Sequence, residues 1–119
     1  MKVSTFHLLN WTLTILIVGF SAACWLHYRE AEKAQQFYYA QDAKYTELLS
    51  MAVKDSTSVK VADLSAAEQT RDSARIEYAM RRKASDTLFL WWFALLPAHL
   101  ISSWFRDRIN SRKVRENAA

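Results

Sequence analysis

The sequence predicts an all-α membrane protein, in which two transmembrane helices extend into a long antiparallel helical hairpin. Two segments of the 119-residue chain, 8–26 and 88–105, contain no Asp, Glu, Lys or Arg, and a charged stretch separates them. The chain has only one Gly and one Pro, against ordinary usage of roughly 7% and 5%. Because turns and sheets need these residues and long helices do not, this composition favours helices throughout.

The predicted first transmembrane helix, residues 8–26, follows a short N-terminal segment, residues 1–7. At 1.5 Å per residue it is about 28 Å long, which matches a hydrocarbon core of roughly 30 Å. A secretory signal cleaved near residues 21–23 is the alternative, because Lys2 precedes the apolar run and small residues end it. We expect a retained span. Cys24, directly after these small residues, is similar to the acceptor cysteine of a lipoprotein signal, but such a signal normally has an aliphatic residue where this chain has Ser21. Cleavage would leave a single span.

The charged middle predicts a first extramembrane helix over residues 27–54. This stretch contains no Gly or Pro and little β-branching, and eight of its positions follow the 3-4 spacing of an imperfect coiled-coil seam. The predicted seam comprises Tyr28, Ala31, Gln35, Tyr38, Asp42, Tyr45, Leu49 and Ala52.

Residues 55–64 predict a turn, because they are rich in Ser, Thr and β-branched residues. Residues 65–68 then read Ser-Ala-Ala-Glu, a capping box in which Ser65 would cap the next helix. The second extramembrane helix is therefore predicted over residues 65–86, with a thin apolar seam that Arg71 interrupts. This second seam comprises Leu64, Ala67, Ala74 and Tyr78.

The second predicted transmembrane helix comprises residues 87–105. The five Trp residues fall at the two ends of the predicted spans, where an apolar ring with a polar N–H is favoured. Pro97 removes a backbone hydrogen bond and is expected to bend the helix. His99 lies near the middle of the span, where an ionisable side chain is a candidate functional site. The alternative is a neutral His99 that is hydrogen-bonded to a backbone carbonyl, to Asn10 or to Thr14.

Small and mildly polar side chains predict a helix contact on one face of each span. In lipid, small residues let helices approach closely, and polar side chains can hydrogen-bond across the contact. The alternative is that the Ser and Thr hydroxyls bond carbonyls of their own helix. The candidate helix-packing residues are Asn10, Thr14, Ser21, Ala94, Ala98 and Ser102.

The net charge of +4 arises mainly in the basic C-terminal tail, residues 106–119, because residues 28–86 hold ten basic and ten acidic residues. Basic residues beside a span are typical of a topology signal or an anionic-lipid contact rather than of nucleic-acid binding. They favour a bacterial inner membrane with both termini cytoplasmic and the central hairpin extracytoplasmic. The tail residues concerned are Arg106, Arg108, Arg112, Lys113 and Arg115.

The sequence contains no catalytic constellation, no Gly-rich phosphate loop and no metal-ligand spacing. Its one cysteine, Cys24, excludes a cysteine-built metal site within one chain. We therefore expect a non-enzymatic protein without cofactors, which acts as an accessory, regulatory or assembly subunit of a larger membrane complex. The hairpin would present aromatic residues to a partner, unless they pack its own seam. This interaction surface comprises Tyr28, Phe37, Tyr38, Tyr39 and Tyr45.

Two other functions remain open at the level of the sequence. The two spans, the small size and the basic tail resemble phage holins of the two-span type, and the resemblance implies a self-assembling pore or lysis protein that forms a homo-oligomer. The second possibility is a small sensor or signalling adaptor, whose extracytoplasmic hairpin dimerises into a four-helix bundle.

Overall fold

A computed structural model describes the backbone of residues 2–119 and the side chains of residues 5–119. Helix α1 (Lys2–Lys54) and helix α2 (Val61–Ala118) contain nearly all of these residues, and no strand occurs among them. The predicted all-helical class is therefore confirmed. The chain divides into a terminal unit, residues 2–25 with residues 87–119, and a central unit, Leu26–Asp86.

The central unit is a helical hairpin in which α1 and α2 run antiparallel. Tyr38 faces Tyr78, and Tyr45 faces Arg71 farther along α1, so the contacting residue numbers rise in one helix and fall in the other. The only buried apolar residues in the described part of the chain are Ala31, 4% exposed, and Ala74, 3% exposed. Alanine layers let the two helices approach closely but bury little apolar area.

The predicted seams are largely the positions that face the other helix. Six of the eight α1 positions are buried or half-buried, and the exceptions are Tyr28 and Leu49, which are exposed. On α2, the four predicted apolar residues and Arg71 are all buried or half-buried. The structure therefore confirms the helical hairpin.

The turn differs from the prediction. Helix α1 ends at Lys54 as expected, but α2 begins at Val61, so the turn comprises residues 55–60 rather than 55–64. The amides of Asp63 and Leu64 donate to the carbonyl of Lys60 at 3.0 and 3.1 Å. The carboxylate of Asp63 lies in the first turn of α2, where its negative charge interacts favourably with the positive end of the helix dipole. The prediction that Ser65 caps the helix is wrong, because Ser65 already lies inside it.

The terminal unit contains the apolar parts of both helices. Phe6 faces Phe105 and Ser21 faces Trp92, so these parts are also antiparallel. Helix α1 includes the described residues of the predicted N-terminal segment, with Met1 and the Lys2 side chain outside the described set. Helix α2 continues through Pro97 and through the basic tail to Ala118. Each helix is long and apolar enough to cross a membrane, and 6% of its most apolar window is buried within the chain.

Candidate functional site

Two side-chain hydrogen bonds join α1 to α2 in the terminal unit. The indole N–H of Trp92 donates to the hydroxyl of Ser21 at 2.6 Å, and the hydroxyl of Ser103 donates to Oδ1 of Asn10 at 3.0 Å. Ser21 also donates to the carbonyl of Ile17 at 2.7 Å. Asn10 and Ser21 are therefore at the helix contact, where the sequence placed them, but their partners Trp92 and Ser103 were not predicted.

Thr14 follows the alternative prediction, in which a hydroxyl bonds a carbonyl of its own helix. Its hydroxyl donates to the carbonyl of Asn10 at 2.8 Å, one turn earlier in the same helix. This bond satisfies the hydroxyl without a contact to α2. Thr14 is half-buried, so it adds volume rather than a polar link to the contact between the helices.

His99 and Ser102 form a second polar position on the inward face of α2. Ser102 is 6% exposed, and neither its Oγ nor Nδ1 of His99 has a hydrogen-bond partner among the described residues. Asn10 and Thr14, two of the partners predicted for His99, form hydrogen bonds elsewhere, Asn10 with Ser103 and Thr14 with a carbonyl. Two buried polar atoms that lie one helical turn apart therefore have no partner in the described part of the chain.

The predicted stripe of Ala94, Ala98 and Ser102 is divided between two faces of α2. Ser102 faces α1, whereas Ala94 and Ala98 are exposed. Successive i, i+4 positions drift by about 40° around a helix of 3.6 residues per turn, so a three-member row cannot stay on one narrow seam. Ala94 and Ala98 do not contribute to the contact between the two helices of this chain, and their contact with another helix stays a prediction.

The predicted aromatic surface of the central unit also divides. Tyr38 stacks on Tyr78 with ring centroids 6.4 Å apart, and Tyr45 lies under the guanidinium of Arg71 at 4.2 Å, so both pack the hairpin's own seam. The other three side chains are exposed by half or more of their area. They are Tyr28 at 56%, Phe37 at 50% and Tyr39 at 57%.

An apolar patch on α2 of the central unit was not predicted from the sequence. Ile76 and Met80 are 56% and 62% exposed, one helical turn apart, and with Glu77 and Arg81 they line a shallow depression. The signal was present as an i, i+4 apolar pair outside the predicted seam. A neighbouring groove is lined by both charge types and by Phe37. Its residues are Glu30, Lys33, Ala34, Phe37, Ala74, Glu77 and Arg81.

Charged side chains of the central unit are held by opposite charges nearby. Glu30 accepts from Lys33 at 3.1 Å and from Arg81 at 3.4 Å, and Arg81 also contacts Glu77 at 2.9 Å. The hydrogen bond and charge of Lys33, with a smaller contribution from Arg81, hold the pKa of Glu30 below its ordinary value. This network is exposed, so water and salt screen it.

Arg71 is the charged residue within the central seam. Its guanidinium donates to Asp72 at 3.0 Å, lies over the ring of Tyr45 and approaches Glu68 at 3.9 Å. The hydrogen bond to Asp72 raises the pKa of Arg71 above its ordinary value. Ring and carboxylate contacts thus accommodate a cation at a position where the sequence predicted only an interruption.

Arg106 and Arg108 of the basic tail make contacts within the chain. Arg106 donates to Asp107 at 3.1 Å, and Arg108 lies 5.0 Å from the ring centroid of Trp104. Within the described residues, no ion pair includes Arg108, Arg112, Lys113 or Arg115. These cations therefore remain available to anions from outside the chain.

The described residues contain no group of three or more His, Cys, Asp or Glu side chains placed to hold a metal ion. Cys24 is a free, half-buried thiol. Comparison of the chain with protein-family models, with curated proteins and with solved structures found no match.

Proposed function

We propose that the chain is a non-enzymatic integral membrane protein, which acts by protein–protein interaction as an accessory, regulatory or assembly subunit of a larger membrane complex. The observation that carries the proposal is the exposure of apolar side chains. Only 6% of the most apolar window of either helix is buried within the chain, whereas a core helix of a soluble domain buries its apolar face. Lipid or another protein must therefore cover these surfaces.

Membrane insertion accounts for the terminal unit. Five of its apolar side chains are between 64% and 70% exposed: Leu8, Ile15, Val18, Leu90 and Leu100. Transfer of each such side chain out of water lowers the free energy. A single-chain fold that leaves so many of them in water would aggregate. The proposed location is the bacterial inner membrane, with both termini cytoplasmic, because basic residues are concentrated in the tail.

Interaction with a partner accounts for exposed side chains that lipid would not cover. Phe37, Tyr39, Ile76 and Met80 belong to the central unit, outside the apolar segments, and each is half exposed or more. In the terminal unit, Ala94 and Ala98 are exposed and small, which suits close approach of another transmembrane helix. Both features favour a partner that contacts the chain inside and outside the bilayer.

The test is purification of the tagged full-length chain from membranes at native expression level, in mild detergent, followed by mass spectrometry. We expect the chain to resist alkaline carbonate extraction and to carry a larger membrane protein in a fixed ratio. The double variants Ala94→Leu/Ala98→Leu and Phe37→Ala/Tyr39→Ala should each reduce that ratio. Val114→Ala, at an exposed apolar position of the tail, should leave it unchanged.

Two results would contradict the proposal. Extraction by carbonate would exclude integral membrane insertion. A homogeneous homo-oligomer without a second protein would favour the self-assembling pore, and dye entry into cells that express the chain would then support that alternative. In such a pore the unpaired polar atoms of His99 and Ser102 would be the first positions to substitute.

A further inference from the structure

We infer that the beginning of the basic tail holds an anionic phospholipid, with the lipid phosphate on Arg108 and Arg112 and its apolar part beside Phe105 and Ile109. These four residues line one groove of about 200 Å³ on α2. The inference deepens the proposed function, because it requires that the terminal unit lies in a bilayer. It names the lipid class that the chain selects and the residues that select it.

The spacing of the groove residues matches the two parts of a lipid. Arg108 and Arg112 are separated by four positions, as are Phe105 and Ile109, and side chains four apart are neighbours on one helix face. Two guanidinium groups therefore lie about one helical turn apart along an apolar ridge. A phosphodiester needs charge-assisted donors, and the acyl chains attached to it need apolar contact.

The ion pairs within the tail do not include Arg108 or Arg112, so both can bind an external anion. Asp107 is taken by Arg106 at 3.1 Å. Glu116 lies one turn beyond Arg112, yet no ion pair joins them among the described residues. In the central unit, Lys33, Arg71, Arg81 and Arg82 each contact a carboxylate.

Aromatic contacts hold the groove in place before a lipid arrives. The guanidinium of Arg108 lies over the Trp104 ring at 5.0 Å, and Trp104 meets Phe105 edge to face at 5.0 Å. Phe105 in turn stacks on Phe6 of α1 with centroids 6.5 Å apart. A cation–π contact uses no oxygen acceptor, so the N–H donors of Arg108 remain free, and restraint before binding lowers the entropy cost.

The groove favours an anionic over a zwitterionic lipid because it contains no carboxylate to pair with a choline or ethanolamine head group. Arginine forms two parallel bonds to a phosphate, which lysine cannot do. A phosphatidylglycerol molecule supplies one uncompensated negative charge between the two arginines. Phosphatidylcholine would bring its own cation against them.

The experiment uses the full-length chain in nanodiscs of equimolar phosphatidylglycerol and phosphatidylcholine, with native mass spectrometry of the lipids retained after release. We expect phosphatidylglycerol to be retained preferentially. A surface Arg or Lys changes anionic-lipid binding by about fivefold, so Arg108→Gln/Arg112→Gln should reduce the preference by about 25-fold. The matched variant Lys113→Gln/Arg115→Gln removes the same charge outside the groove and should reduce the preference by less than the groove variant does.

A third variant, Arg108→Lys/Arg112→Lys, keeps the charge and should retain only part of the preference, because lysine is a point charge. Circular dichroism must show equal helix content for all variants, and a loss of helix confined to the groove variant would overturn the assignment of its effect to the lipid. An equal loss of the phosphatidylglycerol preference in the two Gln variants would show diffuse electrostatic attraction and would overturn the specific site. Displacement of the lipid by excess inorganic phosphate would assign the groove to the free anion.

The two proposals fail in different ways in this experiment. A chain that does not enter nanodiscs overturns both membrane insertion and the lipid site. A chain that enters them but retains both lipids equally overturns the lipid site alone.

Discussion

The terminal and central units share one spacing of inward-facing residues but differ in what lies around it. On α2 the buried or half-buried positions recur every three or four residues in both units. One series with this spacing comprises Leu64, Ala67, Arg71, Ala74, Tyr78, Arg81 and Ser85 in the central unit and Leu88, Trp92, Leu95, His99, Ser102, Arg106 and Ile109 in the terminal unit; Asp72, Leu96 and Ser103 are half-buried beside it. The seam therefore determines helix pairing, and the other faces determine the environment each unit needs.

Around the seam, the central unit pairs several of its charged side chains internally, and the terminal unit leaves its apolar surface open. Glu30, Lys33, Glu77 and Arg81 form a network of ion pairs. The terminal unit instead presents exposed apolar side chains such as Val18, Leu90 and Leu100. Both units thus contain two antiparallel helices with a 3-4 seam. The outer surface of the central unit is largely charged, and that of the terminal unit is largely apolar.

The largest effect expected from this difference is that of a charge placed on an exposed valine in each unit. Val18 and Val53 both lie on α1 and are 64% and 81% exposed. Val18→Arg should oppose membrane insertion by about 3 kcal/mol, the cost of an arginine near the centre of a span. Val53→Arg should change stability by less than about 0.5 kcal/mol, as at ordinary surface positions.

Insertion can be measured for both arginine variants as the fraction of chain that resists carbonate extraction, relative to the parent chain. Equal behaviour of Val18→Arg and Val53→Arg would remove the distinction between the units. A reduced insertion of Val53→Arg alone would place the bilayer around the central unit instead.

A smaller effect is expected from the hydrogen bond between Trp92 and Ser21, which tests whether polar links strengthen the terminal seam. Ser21→Ala leaves the indole N–H without its acceptor at 2.6 Å. Interhelical bonds of this kind in membranes contribute about 0.6 kcal/mol and at most about 1.7 kcal/mol. Ser21→Ala should therefore lower the unfolding free energy of the full-length chain in detergent by about 1 kcal/mol.

The double variant Ser21→Ala/Trp92→Phe separates this bond from packing, because the two changes should be less than additive if the bond is present. Ser50→Ala is the matched control, since the Ser50 hydroxyl donates only to the carbonyl of Glu47 in its own helix. An additive double variant, or an equal effect of Ser50→Ala, would show that the interhelical bond contributes nothing specific.

The sequence predicted the helices and seams because periodicity and the absence of helix breakers are local properties. It did not predict the pairs Trp92–Ser21 and Ser103–Asn10, because these depend on the axial register of two helices. That register follows from the turn, which has six residues and not the ten that Ser65 suggested. The seam spacing did separate Tyr38 and Tyr45, which pack against α2, from Tyr39, which is exposed.

The smallest expected effect concerns the turn of the central unit and tests whether its polar groups are satisfied within the chain. Oδ1 of Asp55 accepts from the Thr57 hydroxyl at 2.6 Å and from the Thr57 amide at 3.0 Å. The hydroxyl bond first, and the amide bond second, lower the pKa of Asp55 below its ordinary value. The folded-state pKa therefore lies below the unfolded value of about 3.9.

Because the folded pKa is the lower one, the carboxylate of Asp55 stabilises the turn fully above the unfolded pKa, and this contribution is lost as the pH falls through the folded pKa. Thr57→Ala removes the larger cause and should raise the pKa of Asp55 toward its ordinary value, measured by NMR titration of the full-length chain in detergent micelles. Ser56→Ala, the neighbouring hydroxyl, should leave the titration unchanged. A Thr57→Ala titration identical to that of the parent chain would mean that the turn does not hold Asp55, and that the central unit is less self-sufficient than its ion pairs indicate.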